Sequence, residues 1–278
     1  MCKKIIHSTK DFAGNISASL SPNYRGTAVA QWSRCCATNR KVAGSIPAGA
    51  SGFLIDIKSS RSHYGPGVYS VSNRNEYQEY FLGVKVRAGD YNFFYGKGNE
   101  NHQLGTGFFV HRKLVSAVKR IEFVSDRLSY IVLRVRWLHI ILVNVHAPSE
   151  EKSEELKDSF YEELEEVFDH FPKYHMKILL GDFNVKVGRE DIFKPIIGQE
   201  SLHQDSNDNG VRIVNFATSK NLVVKSTMFH HRNIHKYTWT SPDGKTHNQI
   251  DHVLIDRRWQ SSVLDVRSFR GAECDTDH

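Results

Sequence analysis

At 278 residues the chain is long enough for one large α/β domain or two small ones. Its longest aliphatic run is Ile140 to Val143, so no membrane-spanning helix is expected, and Met1-Cys2-Lys3-Lys4 leads into polar residues with no signal-peptide core. An intracellular protein is expected, with the nucleus among its compartments. Cys2, Cys35, Cys36 and Cys274 have no metal-ligand spacing and read as free thiols. The net charge of +6 is unevenly spread, with +7 on residues 1–86 and −1 on residues 87–278. A nucleic-acid surface in the longer part must therefore be a local patch, since no global field supports it.

Residues 1–86 read as poorly ordered. Apolar residues come in short pieces without phase, Gly65-Pro66-Gly67 breaks the chain, and no window holds a helical or strand period. Arg25 to Gly49 also resembles the translation of an interspersed repeat. From Arg87 onward β-branched and aromatic residues cluster, and strands are expected at Tyr91 to Tyr95, Gly107 to Val110, Val115 to Phe123, Leu128 to Arg136 and His139 to His146. Pro148-Ser149 starts a helix whose apolar stripe is Leu156, Phe160, Leu164, Val167, Phe168 and Phe171, with Pro172 as its stop.

Met176 to Leu180 reads as a buried strand that runs into Gly181-Asp182-Phe183-Asn184. A second helix follows Asn207-Asp208-Asn209-Gly210, with Ile213, Phe216 and Ala217 inward and Asn221 as its stop. Strands then follow at Leu222 to Ser226, Tyr237 to Thr240, Gln249 to Asp256 and Val263 to Phe269. Many strands with two interleaved helices predict an α/β fold, a two-layer β-sandwich flanked by helices.

Polar residues end or interrupt the buried strands. Asp182 and Asn184 leave the strand at i and i+2, which aims both to one side in extended backbone. Asp251 sits inside the apolar run Ile250 to Ile255, where an unpaired carboxylate is costly. His146 ends the strand from Ile140, and Asp277-His278 follows a short acidic loop. Phosphodiester cleavage needs a divalent cation held by carboxylates, an activated water and donors for the charge on phosphate, and these residue types supply those parts.

Asn144-Val145-His146-Ala147-Pro148, Gly181-Asp182-Phe183-Asn184, Gln249-Ile250-Asp251-His252 and Thr276-Asp277-His278 occur in the order and rough spacing of the endonuclease/exonuclease/phosphatase superfamily. The chain resembles that superfamily over residues 87–278, nearest to RTE/BovB-clade LINE retrotransposon endonucleases and the craniofacial development protein 2 group. Gly105-Thr106-Gly107-Phe108 and Tyr237-Thr238-Trp239 extend the likeness.

The resemblance implies a DNase I-like fold, Mg²⁺ (or Mn²⁺) as cofactor and DNA as partner. It casts Asp182 as the carboxylate that orients or deprotonates the attacking water, with Asn184 holding that water or the phosphate. His278 stabilises the pentacoordinate phosphate with Asp251 as its partner, and Asp277 belongs to the metal site. His146 stands where a phosphate-contacting Tyr is usual. Asn209 and Trp239 are candidate substrate contacts, Asn209 reading also as a helix cap and Trp239 also as packing.

The family's opening strands, which carry a metal-site Asn and a Gln-Glu whose Glu binds the metal, have no clear counterpart. Gln78-Glu79 supplies only the dipeptide, with Glu79 as the nominal ligand. The expected fold is therefore incomplete, lacking central strands in one sheet and a strand after His278. The implied activities are DNA endonuclease, a catalytically dead remnant of one, or a phosphatase or RNA-directed relative.

Overall fold

The computed structural model describes residues 3–8, 25–34, 51–60, 84–88, 90–96, 105–135 and 137–269. Two sheets dominate. The first has seven strands in the order β15-β1-β2-β3-β6-β5-β4, the second six in the order β11-β14-β10-β9-β8-β7. In the first sheet β1 is Lys3–Ser8, β2 Arg25–Arg34, β3 Ser51–Ser60, β4 Val84–Ala88, β5 Tyr91–Tyr95, β6 Thr106–His111 and β15 Val263–Phe269. In the second, β7 is Val118–Phe123, β8 Leu128–Arg134, β9 His139–His146, β10 Met176–Asp182, β11 Leu222–Val224 and β14 Asp251–Asp256. A short hairpin, β12 (Trp239–Thr240) and β13 (His247–Asn248), stands apart.

Strand periodicity divides the second sheet's side chains between two cores. Ile140, Leu142, Ile178, Leu180, Val253 and Ile255 meet Phe108 and Val110 of β6 between the sheets. Their neighbours Ile141, Val143, Leu179 and Leu254 face the other way, onto two helices. Each fully buried Leu, Ile or Phe contributes about 1.5–3 kcal/mol, so both faces are strongly held. Burial on both faces explains why β9 and β10 read as continuous apolar runs. Asn144 sits in the inter-sheet row and its Nδ2 donates to the Gly107 carbonyl at 3.2 Å, a polar tie between the layers.

Helix α1 spans Glu154–Asp169 and α2 spans Asp208–Ser219. Phe160, Leu164 and Phe168 of α1 are buried as the stripe requires, but Leu156 is 48% exposed and Lys157 is buried beside Glu154. The helix starts at Glu154, after Ser153, and not at Pro148-Ser149; the intervening residues form a turn whose Lys152 N–H donates to the Ser149 carbonyl at 3.0 Å. Glu154 and Glu155 in the first turn suit the positive end of the helix dipole. Arg212 of α2 pairs with Glu154 and Asp158 and clamps the two helices together. Helix α2 buries Ile213, Phe216 and Ala217, and Asn221 just past its end takes a left-handed φ of 54°, as its role as a stop anticipates.

Several strands are shorter than expected. Arg112–Ala117 and Lys225–Thr227 are 3₁₀ turns, so β7 begins at Val118 and β11 ends at Val224. β12 starts at Trp239, one residue after Thr238, whose N–H donates to the Asn248 carbonyl of β13, and β14 starts at Asp251, after Gln249, whose N–H turns to His203 Nε2. The larger difference lies in residues 1–86, where patterning offers no period and leaves the centre of one sheet unfilled. In the structure the backbones of β1, β2 and β3 stand between β15 and β6, antiparallel to one another and with β3 parallel to β6. Strand pairing depends on what flanks a segment more than on its own propensity, so such strands leave little trace in the sequence.

Candidate active site

Following the inter-sheet rows to their ends leads directly to the polar residues. Ile140 and Leu142 continue through Asn144 to His146, Ile178 and Leu180 to Asp182, and Ile255 and Val253 to Asp251. Strand register sets these ends in one line: Asp182 pairs with His146 across the parallel β9–β10 ladder and with Asp251 across the antiparallel β10–β14 ladder. Three residues far apart in sequence thus occupy neighbouring strands at one rim. Asp182 and Asp251 are 5% and 2% exposed, so both are withdrawn from water.

The turn after β10 is shaped by backbone geometry. Gly181 has φ +151°, and a Cβ there would lie 2.0 Å from the Val145 carbonyl oxygen, so only glycine lets β10 approach β9 this closely. Asn184 follows with a left-handed φ of 51°, which Asn tolerates better than most residues. Its backbone N–H donates to Asp182 Oδ1 at 2.9 Å, and its side chain donates to the Ala147 carbonyl at 2.8 Å. Ala147 N–H in turn donates to the Asp182 carbonyl at 2.8 Å, so the two motif turns brace one another.

His146, Asp182 and Asn184 line an open cleft of about 640 Å³. Glu150, Lys152, Trp239 and Ile250 also line it. Arg127, just ahead of β8, also lines it; its Nη1 donates to the His146 carbonyl at 3.1 Å while its own carbonyl accepts from His146 N–H at 2.9 Å. Burial lowers the Arg127 pKa from its usual value, with Asp126 opposing the shift, and a guanidinium still keeps its charge. The cleft therefore holds a fixed cation beside His146 and a buried carboxylate on the adjacent strand. That arrangement can orient a water and contact an anionic oxygen.

Sequence reasoning brought His146, Asp182, Asn184 and Asp251 to one rim, and the structure places them there. Trp239 lines the cleft as well. Asn209 does not: it is 2% exposed and donates to the Pro148 and Asn184 carbonyls at 3.3 and 3.5 Å, bracing the turn from beneath. Nor does Asn209 cap α2. That cap is Asn207, whose Oδ1 accepts from Gly210 and Lys186 N–H, both at 2.9 Å. Glu79, Asp277 and His278 fall outside the described residues.

Sequence reasoning also missed the supports. Thr238 Oγ1 accepts from Ile250 and Asp251 N–H at 2.9 and 3.1 Å and fixes the start of β14. Gln249 Oε1 accepts from Leu202 N–H at 3.0 Å, and its Nε2 donates to the Ser226 carbonyl at 3.2 Å. His252 is fully buried, 2.9 Å from Ser226 Oγ and 3.3 Å from the Val185 carbonyl. The signal was present in Gln249 and His252, polar residues beside the apolar run around Asp251 that need partners once buried.

A divalent cation requires several oxygen donors. Among the described residues no group of three His, Cys, Asp or Glu side chains converges as a metal would need. Asp182 and Asp251 are hard oxygen donors of the right kind, yet the two alone do not complete a cage.

A mixed α/β sandwich with acidic and imidazole side chains at a shared strand rim defines the class. Residues 51–278 match the Endonuclease/Exonuclease/phosphatase family, and the chain belongs to it. The fold is DNase I-like, and the match begins within the segment that patterning sets apart from the rest. The chain is 29% identical over 194 residues to craniofacial development protein 2 of Bos taurus, covering 70% of this chain and 32% of that protein. The Tragulus javanicus protein of the same name is likewise 29% identical, with 33% of its length covered. The chain thus spans about a third of the length of the curated relatives it matches.

Among solved structures it is similar to the endonuclease domain of TRAS1, a telomere-specific non-LTR retrotransposon, at 12% identity and TM-score 0.43, covering 65% of this chain and 79% of that one. Truncated Caenorhabditis elegans TDP2 is similar at 15% identity and TM-score 0.36, covering 60% and 61%.

Proposed function

We propose that this chain is a DNA endonuclease of retrotransposon descent that hydrolyses phosphodiester bonds with Mg²⁺ (or Mn²⁺). The observation that carries the reading is the line His146–Asp182–Asp251 across three adjacent strands, of which His146 and Asp182 line a cleft that Arg127 also lines. In this reading Asp182, steadied by Asn184 N–H, orients and deprotonates the attacking water. Arg127 and His146 face the phosphate, and Asp251 partners His278 as that group stabilises the transition state. Asp277 and Glu79 are the proposed metal ligands. The family membership and the four motifs support this assignment.

A second reading, a catalytically dead remnant that at most binds DNA, rests on the sequence, where the family's strands bearing the metal-site Asn and Glu have no clear counterpart. A plasmid-nicking assay separates the two. Supercoiled plasmid is incubated with the chain, with Asp182→Ala and with His278→Ala, in Mg²⁺, in Mn²⁺ and in chelator. Metal-dependent nicking by the parent that both substitutions abolish supports the endonuclease; equal background in all three supports the remnant.

A further inference from the structure

The end of the second sheet opposite the cleft carries an unusual combination of exposed aromatic and cationic side chains. There β8 stops at Arg134, β9 begins at His139 and β10 at Met176. The two turns that feed β9 and β10 lie side by side, because His139 N–H donates to His175 Nδ1 at 3.1 Å and the two imidazoles stand 4.7 Å apart. Each turn pushes a large ring into solvent: Trp137 is 76% exposed and Tyr174 62%. Neither ring belongs to either core. A single exposed hydrophobe is ordinary, but two large aromatics on locked, adjoining turns are not.

Cations surround them. Lys119 Nζ lies 3.1 Å from His139 Nε2, Arg134 pairs with His139 across the β8–β9 ladder, and Arg258 donates to the Lys173 carbonyl at 2.6 Å. The carboxylate at this rim, Asp256, is already matched by Arg258 at 3.2 Å and Lys177 at 3.7 Å. Residues 87–278 carry only −1 overall, so this concentration of positive charge is not inherited from a basic chain. A cavity of about 610 Å³ opens beside it, with Ile141 and Val132 among its lining and Tyr130, Phe171 and the two imidazoles around them. Glu122 of β7 and Glu163 and Glu166 of α1 also line the cavity and repel an anion there, which leaves the rim itself as the path for a phosphate backbone.

We propose that this rim is a second nucleic-acid contact, distinct from the cleft, that holds a single strand. Bases stack on Trp137 and Tyr174, and phosphates run along Lys119, Arg134, Lys173 and Arg258. A duplex hides its base faces, whereas an unpaired strand offers them to aromatic platforms with little sequence preference. The interaction needs no cleavage and stands whether or not the cleft is catalytic.

The test is fluorescence anisotropy of a fluorescein-labelled oligothymidylate on the full chain, alongside quenching of intrinsic tryptophan fluorescence. The Trp137→Ala/Tyr174→Ala double variant is expected to bind at least tenfold more weakly. Lys119→Glu/Lys173→Glu should weaken binding and flatten its salt dependence by about 0.7 for each phosphate no longer neutralised. The exposed-residue control Ile192→Ala should bind as the parent does. Because all four rim side chains substituted are exposed, the variants should fold. Unchanged affinity in the aromatic double variant overturns the proposal. So does concentration-dependent self-association that Trp137→Ala removes, with no oligonucleotide bound, since that assigns the rings to a second copy of the chain.

Discussion

Asp182 and Asp251 face one another as direct partners on β10 and β14, two buried carboxylates on one face of an antiparallel pair. Opposed residues in such a pair stand about 4.5–5.5 Å apart, close enough for like charges in a dry setting to repel strongly. The Asp182→Asn variant keeps the acceptor for Asn184 N–H and removes one charge. Its melting temperature should match or exceed the parent's, while metal-dependent nicking falls by a factor of about 10²–10⁴, the range general-base catalysis spans. Parallel thermal melts and nicking rates check this, and a loss of stability in step with activity would make Asp182 structural.

The Gly181 site makes the opposite kind of demand. Any Cβ there meets the Val145 carbonyl oxygen at 2.0 Å, and the obstacle is backbone on the neighbouring strand, which cannot swing aside. Gly181→Ala is expected to cost more than about 3 kcal/mol, by forcing β9 and β10 apart and straining the backbone. Urea unfolding of purified protein measures it; a cost under about 1 kcal/mol would show that the ladder gives way more easily than its register implies.

Asn184 separates side chain from backbone conformation. With φ at 51°, alanine pays about 1–2 kcal/mol for the left-handed geometry and also loses the bond to the Ala147 carbonyl. Glycine loses only the bond. Stability should therefore rank Asn184 above Asn184→Gly above Asn184→Ala, in denaturant midpoints under identical conditions. Equal midpoints for the two variants would remove backbone strain from the account.

Much of this rim was legible in the sequence, for a physical reason. Asp251 in a buried strand, and Asp182 and His146 at the ends of apolar runs, conflict with local hydrophobic patterning, and such conflict marks function. Asn207 and Asn209 show where legibility ends. Both sit at the start of a helix and both read as a cap in the sequence, and only the tertiary position of Lys186 and Pro148 decides that the first caps and the second is buried. The strands β1–β3 show a different limit, since their pairing is decided by β6 and β15, residues far along the chain. Leu156 keeps the helical phase of its stripe yet is half exposed, which periodicity alone does not reveal.

His203 ties pH to the architecture behind Asp251. Its Nε2 accepts from Gln249 N–H at 3.2 Å, which requires the unprotonated ring, and burial, with Lys186 and Arg189 adding to it, presses its pKa down to about 4. The unfolded chain takes up that proton near pH 6.5 and the folded one only near 4. The contribution is therefore whole above pH 6.5 and is lost as pH falls toward 4. His203→Gln keeps an acceptor without titrating. The parent should lose roughly 1–2 kcal/mol more than this variant between pH 7 and 4.5, after allowing for partial solvent access. Denaturation at stepped pH reads the difference, and superimposable curves would detach His203 from acid stability.

Arg127 offers the clearest separation of charge from shape in the cleft. One of its five donors goes to the His146 carbonyl, which pins the guanidinium at the mouth of β8, where it faces the open volume. A phosphate arriving there meets a planar fork that needs no reorganisation. Arg127→Ala should lower kcat/KM for DNA by about tenfold or more and flatten the salt dependence of binding by about one unit. Arg127→Lys restores the charge, and so the salt dependence, but its ammonium cannot hold the His146 carbonyl and a phosphate oxygen in one plane. Its rate should therefore stay well below the parent's. Lysine restoring both quantities in full would reduce Arg127 to a point charge, and alanine changing neither would remove it from the substrate path.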